Sequence, residues 1–223
     1  MLVLQRIKAA LRGFAYKLSE LSRRRKIELF QEVFEARPDK KVLWIGAAFS
    51  PRSLLIERLL PLSYDYPEAI VFADIDVDGL VRAKGWFPNS NIVCCDARAL
   101  PFKDKAIDIV FSNAVIEHVG AWSEQQEFAT EVMRVAKGWF VATPNLCFPF
   151  EFHYRLPFIH WLPHRLQVFV KKYVGGRYPR GKVANVHLLT PRQMSRLFPG
   201  SEIALVRITI LPESIVAYRK DEG

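Results

Sequence analysis

A chain of 223 residues, half of them hydrophobic, can bury one substantial core but not two generous ones, so a single domain with appendages is expected. Three cysteines, two of them adjacent at Cys94 and Cys95, give no disulfide framework or metal-ligand spacing. Together with the lack of any apolar run near the roughly 18 residues of a membrane span, this excludes a disulfide-built secreted scaffold and a membrane-spanning protein. Arg6, Lys8 and Arg12 interrupt the one candidate signal-peptide core, which points to a cytoplasmic protein, and the net charge of +9 is unevenly placed: +6 over residues 1–41, −4 over 42–145 and +7 over 146–223.

Leu4, Ile7, Leu11, Phe14, Leu18 and Leu21 recur at three- and four-residue steps and predict an amphipathic, basic N-terminal helix. It reads either as a lid on the domain or as a helix lying on an anionic membrane surface. A second helix is expected from about Arg25 to Ala36, ending before Pro38. Val42-Leu43-Trp44-Ile45 predicts the first buried strand, with a turn opened by Gly46. Ser50-Pro51 then starts a helix running to about Leu60, its hydroxyl capping and its proline at the first helical position. Ile70–Ala73 and Asn91–Cys95 predict the second and third buried strands, separated by a helix over Val77–Lys84. A loop at Leu100–Asp104 leads to a fourth strand, Ile107–Phe111, followed by a helix over Ser123–Val135 and a fifth strand, Trp139–Thr143. Thr190-Pro191 opens a last helix closed by Pro199-Gly200. The β-rich runs Glu202–Leu211 and Ser214–Arg219 then meet across Pro212-Glu213 as an antiparallel hairpin.

Strands alternating with helices imply a parallel sheet, in which ligands lie outside the carboxyl ends of the strands. Asp74 and Asp96 stand just past the second and third strands, where two acids can reach the sugar and the base of one nucleoside. Here the chain resembles the class I S-adenosylmethionine-dependent methyltransferases, in particular the small-molecule branch that includes ubiquinone- and menaquinone-methylating enzymes. The resemblance spans about residues 40–220. It rests on Val42–Ala48, Ala73-Asp74-Ile75-Asp76, Cys95-Asp96-Ala97 with Leu100-Pro101-Phe102, and Ile107–Val110 through Asn113-Ala114-Val115-Ile116-Glu117-His118-Val119. Glu131–Val135 and Thr143-Pro144-Asn145 resemble that family's fifth-strand region.

The resemblance implies an α/β fold: a Rossmann-like, doubly wound seven-stranded sheet, mostly parallel, with a C-terminal antiparallel hairpin. It implies S-adenosylmethionine as cofactor, with Asp74 on the ribose hydroxyls, Asp96 and the Ala97 backbone on the adenine, and the Gly46 turn against the methionine end. Ala47, Ala48, Ile75 and Asn113 complete the implied cofactor set. Trp44 replaces the family's usual acid, and Ala48 and Ser50 replace later glycines, so a methyltransferase-like binding scaffold without turnover is the alternative from another functional class. The division is an N-terminal helical lid at 1–39 and a methyltransferase domain at 40–223, with a substrate-recognition insert at about 146–185.

Methyl transfer needs alignment, exclusion of water and, for a hydroxyl acceptor, a base. His153, then His118, are the candidate catalytic residues, each weighed against a plain packing or loop role. The insert carries Phe148, Phe150, Phe152, Tyr154, Phe158, Trp161 and Phe169 interleaved with Arg155, Arg165, Lys171 and Lys172. That composition suits a membrane–water interface or an amphiphilic, phosphate-bearing substrate, and equally a lid whose aromatics complete the core. The expected reaction is O-methylation of a small-molecule, lipid- or sugar-linked acceptor, in the cytoplasm or peripherally at the inner membrane surface. RNA methylation ranks below it, because Asn113-Ala114-Val115 lacks the Asn-Pro-Pro-aromatic signature of adenine amino-methylation. Cys147 reads as structural and the His160/His164 pair lacks further ligands. Glu117-His118 reads as a family loop, so no metal is expected.

Overall fold

The computed structural model describes residues 2–47, 49, 59–153, 156–174 and 186–221. Ala48 and most of the helix expected from Ser50-Pro51 lie outside them, as do Tyr154, Arg155 and residues 175–185 of the insert. The first element is α1, Leu2–Val33, one continuous helix where two were expected. Around the expected junction Ser22 and Lys26 are buried, and they meet polar partners from the far end of the chain.

Strands β1 (Val42–Ile45), β2 (Ile70–Asp74), β3 (Asn91–Cys94), β4 (Ile107–Asn113) and β5 (Ala136–Pro144) run parallel. They are followed by β8 (Glu202–Arg207) and β9 (Pro212–Arg219), and β9 joins β5 antiparallel. The sheet order β3-β2-β1-β4-β5-β9-β8 is the expected doubly wound arrangement with its closing hairpin. The expectation of a buried third strand is corrected: β3 is the sheet edge, and three of its four residues, Cys94 among them, are exposed.

Both faces of the sheet are covered, which is why its inner strands read as unbroken apolar runs. Successive residues of a strand point to opposite faces. Leu43, Ile45, Val110 and Val141 pack under α4 (Trp122–Val135) and α6 (Pro191–Leu197). On the other face Val42, Trp44, Phe72, Ile109 and Phe111 pack under the C-terminal half of α1 and α3 (Val77–Trp86). Phe30 of α1 sets its ring edge-on to Phe111 and Phe140, at 5.2 and 5.5 Å between centroids.

A polar latch holds α1 to the end of the chain: Ser22 Oγ donates to Glu213 Oε2 (2.6 Å) and Lys26 Nζ donates to Ser214 Oγ (3.2 Å). Burial pushes the Lys26 ammonium below its ordinary range, and the Glu213 carboxylate pulls it part of the way back.

Helix α6 begins as its sequence signals, with Thr190 and Gln193 forming a reciprocal capping box and Pro191 in the first turn. The insert contains a short antiparallel pair, β6 (Phe150–Glu151) with β7 (Leu156–Pro157), then a 3₁₀ turn at Ile159–Trp161 and α5 (His164–Val174). A short helix α2, Leu59–Ser63, precedes β2.

Candidate active site

The chain leaves β1, winds outward to β3 and returns to β4 on the other side of β1. A crevice therefore opens at the carboxyl ends of β1 and β4, where the two loops diverge. It holds a cavity of about 440 Å³ lined by Gly46, Asp74, Ile75, Asp96 and Ala97, five of the expected cofactor positions, together with Arg98, Val115 and His118. That volume lies within the range of small-molecule and cofactor sites.

Gly46 turns the chain off β1 at φ +83°, and a Cβ there would stand 2.2 Å from Val115 Cγ2. The absent side chain is what lets the turn lie against the cavity wall. Asp74 ends β2, and its Oδ1 accepts from the Asp76 N–H at 2.9 Å, which fixes the carboxylate at the cavity edge. Asp96 is gripped by the residue two places on: Arg98 donates through its backbone N–H, Nε and Nη2, the last at 2.6 Å. The guanidinium hydrogen bond holds the Asp96 carboxyl below the usual carboxylate range. These N–H groups place two contacts on each carboxylate oxygen, with Nε shared between the two. Burial pushes the neighbouring Cys95 thiol up to about 11, so it lines the cavity as a neutral group.

The Leu100-Pro101-Phe102 loop is pinned from α4. Glu131 Oε2 accepts from the Leu100 N–H, and Arg134 donates to the carbonyls of Leu100 and Phe102. The function of Glu131 and Arg134 is thus to hold the segment that carries Asp96 and Ala97.

Not every expected position joins the cavity. Ala47 is buried, its N–H directed to the Ala73 carbonyl at 3.3 Å. Asn113 continues β4, so alternation places it with Ile109 and Phe111 on the α1 face, where it lines a small separate cavity with Lys26 and Trp44.

His118 and His153, 35 residues apart, are brought together. Their Nε2 atoms lie 3.1 Å apart and their rings are perpendicular, and His153 Nδ1 donates to Glu151 Oε1 at 2.6 Å. Glu151 and His153 are both almost fully buried. Beside them Glu117 is completely buried: its Oε2 accepts from Thr143 Oγ1 at 2.9 Å, and its Oε1 lies 4.0 Å from His118 Nε2. Burial pushes the Glu117 carboxyl up, and His153 pulls it back. The loop that carries this pair is fixed by Gln125 Nε2, which donates to the Ile116 and His187 carbonyls, and by the His187 N–H, which donates to the Glu117 carbonyl.

Glu151 was not singled out in the sequence, and Glu117 was read only as part of a family loop with His118. Glu151 had a local signal, standing two residues before His153 in an extended segment. Glu117 had none beyond its place before His118. His160, by contrast, is used structurally, its Nε2 paired with the Leu146 carbonyl at 3.1 Å.

The aromatics of the insert divide by exposure. Phe148 and Ile159 are buried, whereas Phe158, Trp161, Leu162, Leu166 and Phe169 stand out on the surface, Phe169 at 60%. Among the described residues no helix is long and apolar enough to cross a membrane.

Residues 57–141 match a family described as "methyltransferase domain". No curated protein matches the chain in sequence. Among solved structures, the chain is similar to an S-adenosylmethionine-dependent methyltransferase from Methanosarcina mazei, with a TM-score of 0.57 at 16% identity over 86% of this chain and 96% of that one. A protein from Pyrococcus horikoshii OT3 superposes with a TM-score of 0.55 at 17% identity, covering 87% of each chain. A phosphoethanolamine N-methyltransferase from Haemonchus contortus, in complex with S-adenosyl-L-methionine, gives 0.56 at 12% identity over 82% of this chain and 38% of that one. At such identities the likeness is one of fold. The domain match lies on a sheet of the corresponding topology, with a glycine cradle and two strand-end acids around one cavity. Residues 57–141, which carry Asp74 and Asp96, thus resemble a methyltransferase domain, and the fold of the chain is like that of S-adenosylmethionine-dependent methyltransferases.

Proposed function

We propose that this enzyme O-methylates a small or lipid-linked acceptor whose hydroxyl is presented at His118 and His153. The observation that carries the reading is His118 lining the same cavity as Asp74 and Asp96, backed by the His153–Glu151 pair. When bound, the cofactor supplies a methyl group on a sulfonium sulfur, transferred in line to the acceptor oxygen with S-adenosylhomocysteine and the acceptor's proton as the other products.

The residues of this chain have distinct tasks in that reading. Asp74 accepts hydrogen bonds from the ribose hydroxyls. Asp96 and the Ala97 N–H take the adenine edge, and Gly46 leaves room for the methionine end. Glu151 accepts the Nδ1 proton of His153, which leaves the His153 Nε2 lone pair facing His118. The imidazole pair can then take up the acceptor's proton, with the buried Glu151 carboxylate balancing the charge.

The exposed run Phe158, Trp161, Leu162 and Leu166 supports the lipid-linked version of the acceptor. It follows β6–β7, the segment that brings His153 to the site, and the flanks of the chain are basic. Such a surface would let the enzyme meet its acceptor at an anionic bilayer.

The test is isothermal calorimetry with S-adenosylmethionine on the wild type, Asp74→Ala and Asp96→Ala, followed by a methyl-transfer screen over quinol, lipid and sugar hydroxyls. Micromolar binding lost in both variants, with turnover lost in His153→Ala, is the expected result. Binding indifferent to both acids, or full turnover in His153→Ala, overturns the assignment. Failure to pellet with anionic vesicles at low salt removes the membrane part alone.

A further inference from the structure

We infer that Glu117, His118 and His153 form a binding site for one divalent transition-metal ion of the zinc class, open on the cavity side. Their ligand atoms, one carboxylate oxygen and two imidazole nitrogens, lie within 4.8 Å of one another. For a tetrahedral ion with ligand bonds of about 2.0–2.1 Å, the ligand atoms stand about 3.4 Å apart. The observed separations fall on either side of that: 3.1 Å between the two Nε2 atoms and 4.0 Å from His118 Nε2 to Glu117 Oε1. The third pair, Glu117 to His153, lies within the 4.8 Å bound, so the set closes with shifts of about half an ångström around His118 and up to about 1.4 Å between Glu117 and His153.

Two further observations point to a cation. Glu117 Oε1 is buried in a fully covered residue and has no hydrogen-bond partner, a costly state for a carboxylate oxygen unless something positive satisfies it. The outer contacts also match those of a metal centre: Glu151 holds His153 by Nδ1, directing its Nε2 inward, and Thr143 holds the second Glu117 oxygen. Two histidines and one carboxylate, with the partly exposed His118 at the cavity wall, leave a fourth position facing the acceptor side.

An oxygen of the acceptor, a hydroxyl or a vicinal pair of hydroxyls, is the chemical class suited to that position. This last step rests on the methyl-transfer reading above, whereas the ion's binding does not. In the loaded enzyme the open position, rather than the imidazole pair, receives the acceptor oxygen. Glu117-His118 reads as a plain family loop in the sequence because the third ligand, His153, stands 35 residues downstream.

The experiment is titration of chelator-stripped protein with Zn²⁺ by calorimetry and with Co²⁺ by visible absorption, alongside His153→Ala, Glu117→Gln and Glu151→Gln. One ion per chain is expected, with a tetrahedral cobalt spectrum. Affinity should fall at least about 100-fold in His153→Ala and Glu117→Gln, and about 10–100-fold in Glu151→Gln. Glu117→Gln keeps the volume and the Thr143 contact, and its S-adenosylmethionine binding reports that it is folded. No ion bound by folded wild type, or binding unchanged in all three variants, overturns the site. Cofactor binding without zinc binding sinks the metal site and leaves the methyl-transfer reading standing; zinc binding without cofactor binding does the reverse.

Discussion

Replacing Gly46 by alanine tests whether the turn after β1 is shaped by φ, by space or by both. At φ +83° an L-residue costs about 1–2 kcal/mol relative to glycine. The new Cβ would also stand 2.2 Å from Val115 Cγ2, and Val115 is packed against the core and lines the cavity, so relieving the overlap costs about 1–3 kcal/mol more. Gly46→Ala is therefore expected to lose about 2–5 kcal/mol of stability. For a chain of this length that lowers Tm by roughly 4–20 °C. Val115→Ala separates the two parts: in its background the clash vanishes, and Gly46→Ala should cost only the conformational 1–2 kcal/mol, or about that. The assay is urea unfolding of the wild type, both single variants and the double variant, with calorimetric titration of S-adenosylmethionine on each. Wild-type stability in Gly46→Ala, to within about 0.5 kcal/mol, refutes the argument. An equal loss with and without Val115 refutes its steric half.

Arg98→Ala should make cofactor binding more sensitive to acid. Arg98 holds the Asp96 carboxyl below its usual range, so the carboxylate is present above that lowered value and is lost as pH falls through it. Without Arg98 the loss moves upward towards the ordinary value of about 3.9, and calorimetry at a descending series of pH values reads the shift. Coincident profiles for the variant and wild type would remove Arg98 from the site. Phe30→Ala should cost about 3–5 kcal/mol in urea unfolding, because the ring is fully buried against Phe111 and Phe140. A loss under about 1 kcal/mol would mean that α1 does not dock on the sheet as described.

That Gly46, Asp74 and Asp96 line one crevice was legible in the sequence because its determinants are local. Asp74 and Asp96 follow their strands directly, and Gly46 marks its own turn. The strands themselves were legible where both faces are covered. The third strand misled because Ile92, Val93 and the two cysteines have the composition of a core strand, while the topology puts them at the edge. Asn113 lies outside the crevice for a different reason: β4 runs two residues further than expected, to Asn113, and alternation turns its side chain to the α1 face. The continuity of α1 was hidden because Ser22 and Lys26 look like surface residues until Glu213 and Ser214 are set beside them. The histidine cluster was illegible as a unit, since a short β6–β7 pair inside the insert decides whether His153 reaches His118.

The latch between α1 and the start of β9 joins positions 191 apart, and this dictates the order in which the protein can finish folding. At about 5–20 residues per second, Ser22 leaves the ribosome roughly 10–40 s before Glu213 is made. Over that interval Glu213 and Ser214 are missing from beside Lys26, so its desolvation works against the gain from seating Phe30 on Phe111 and Phe140. Phe30 and the aromatic floor it covers, Phe111 and Phe140, are therefore less firmly closed until the final strand arrives. Closure of the latch is thus among the last events of synthesis, and a chain stalled before β9 would hold its first helix over the aromatic floor without it.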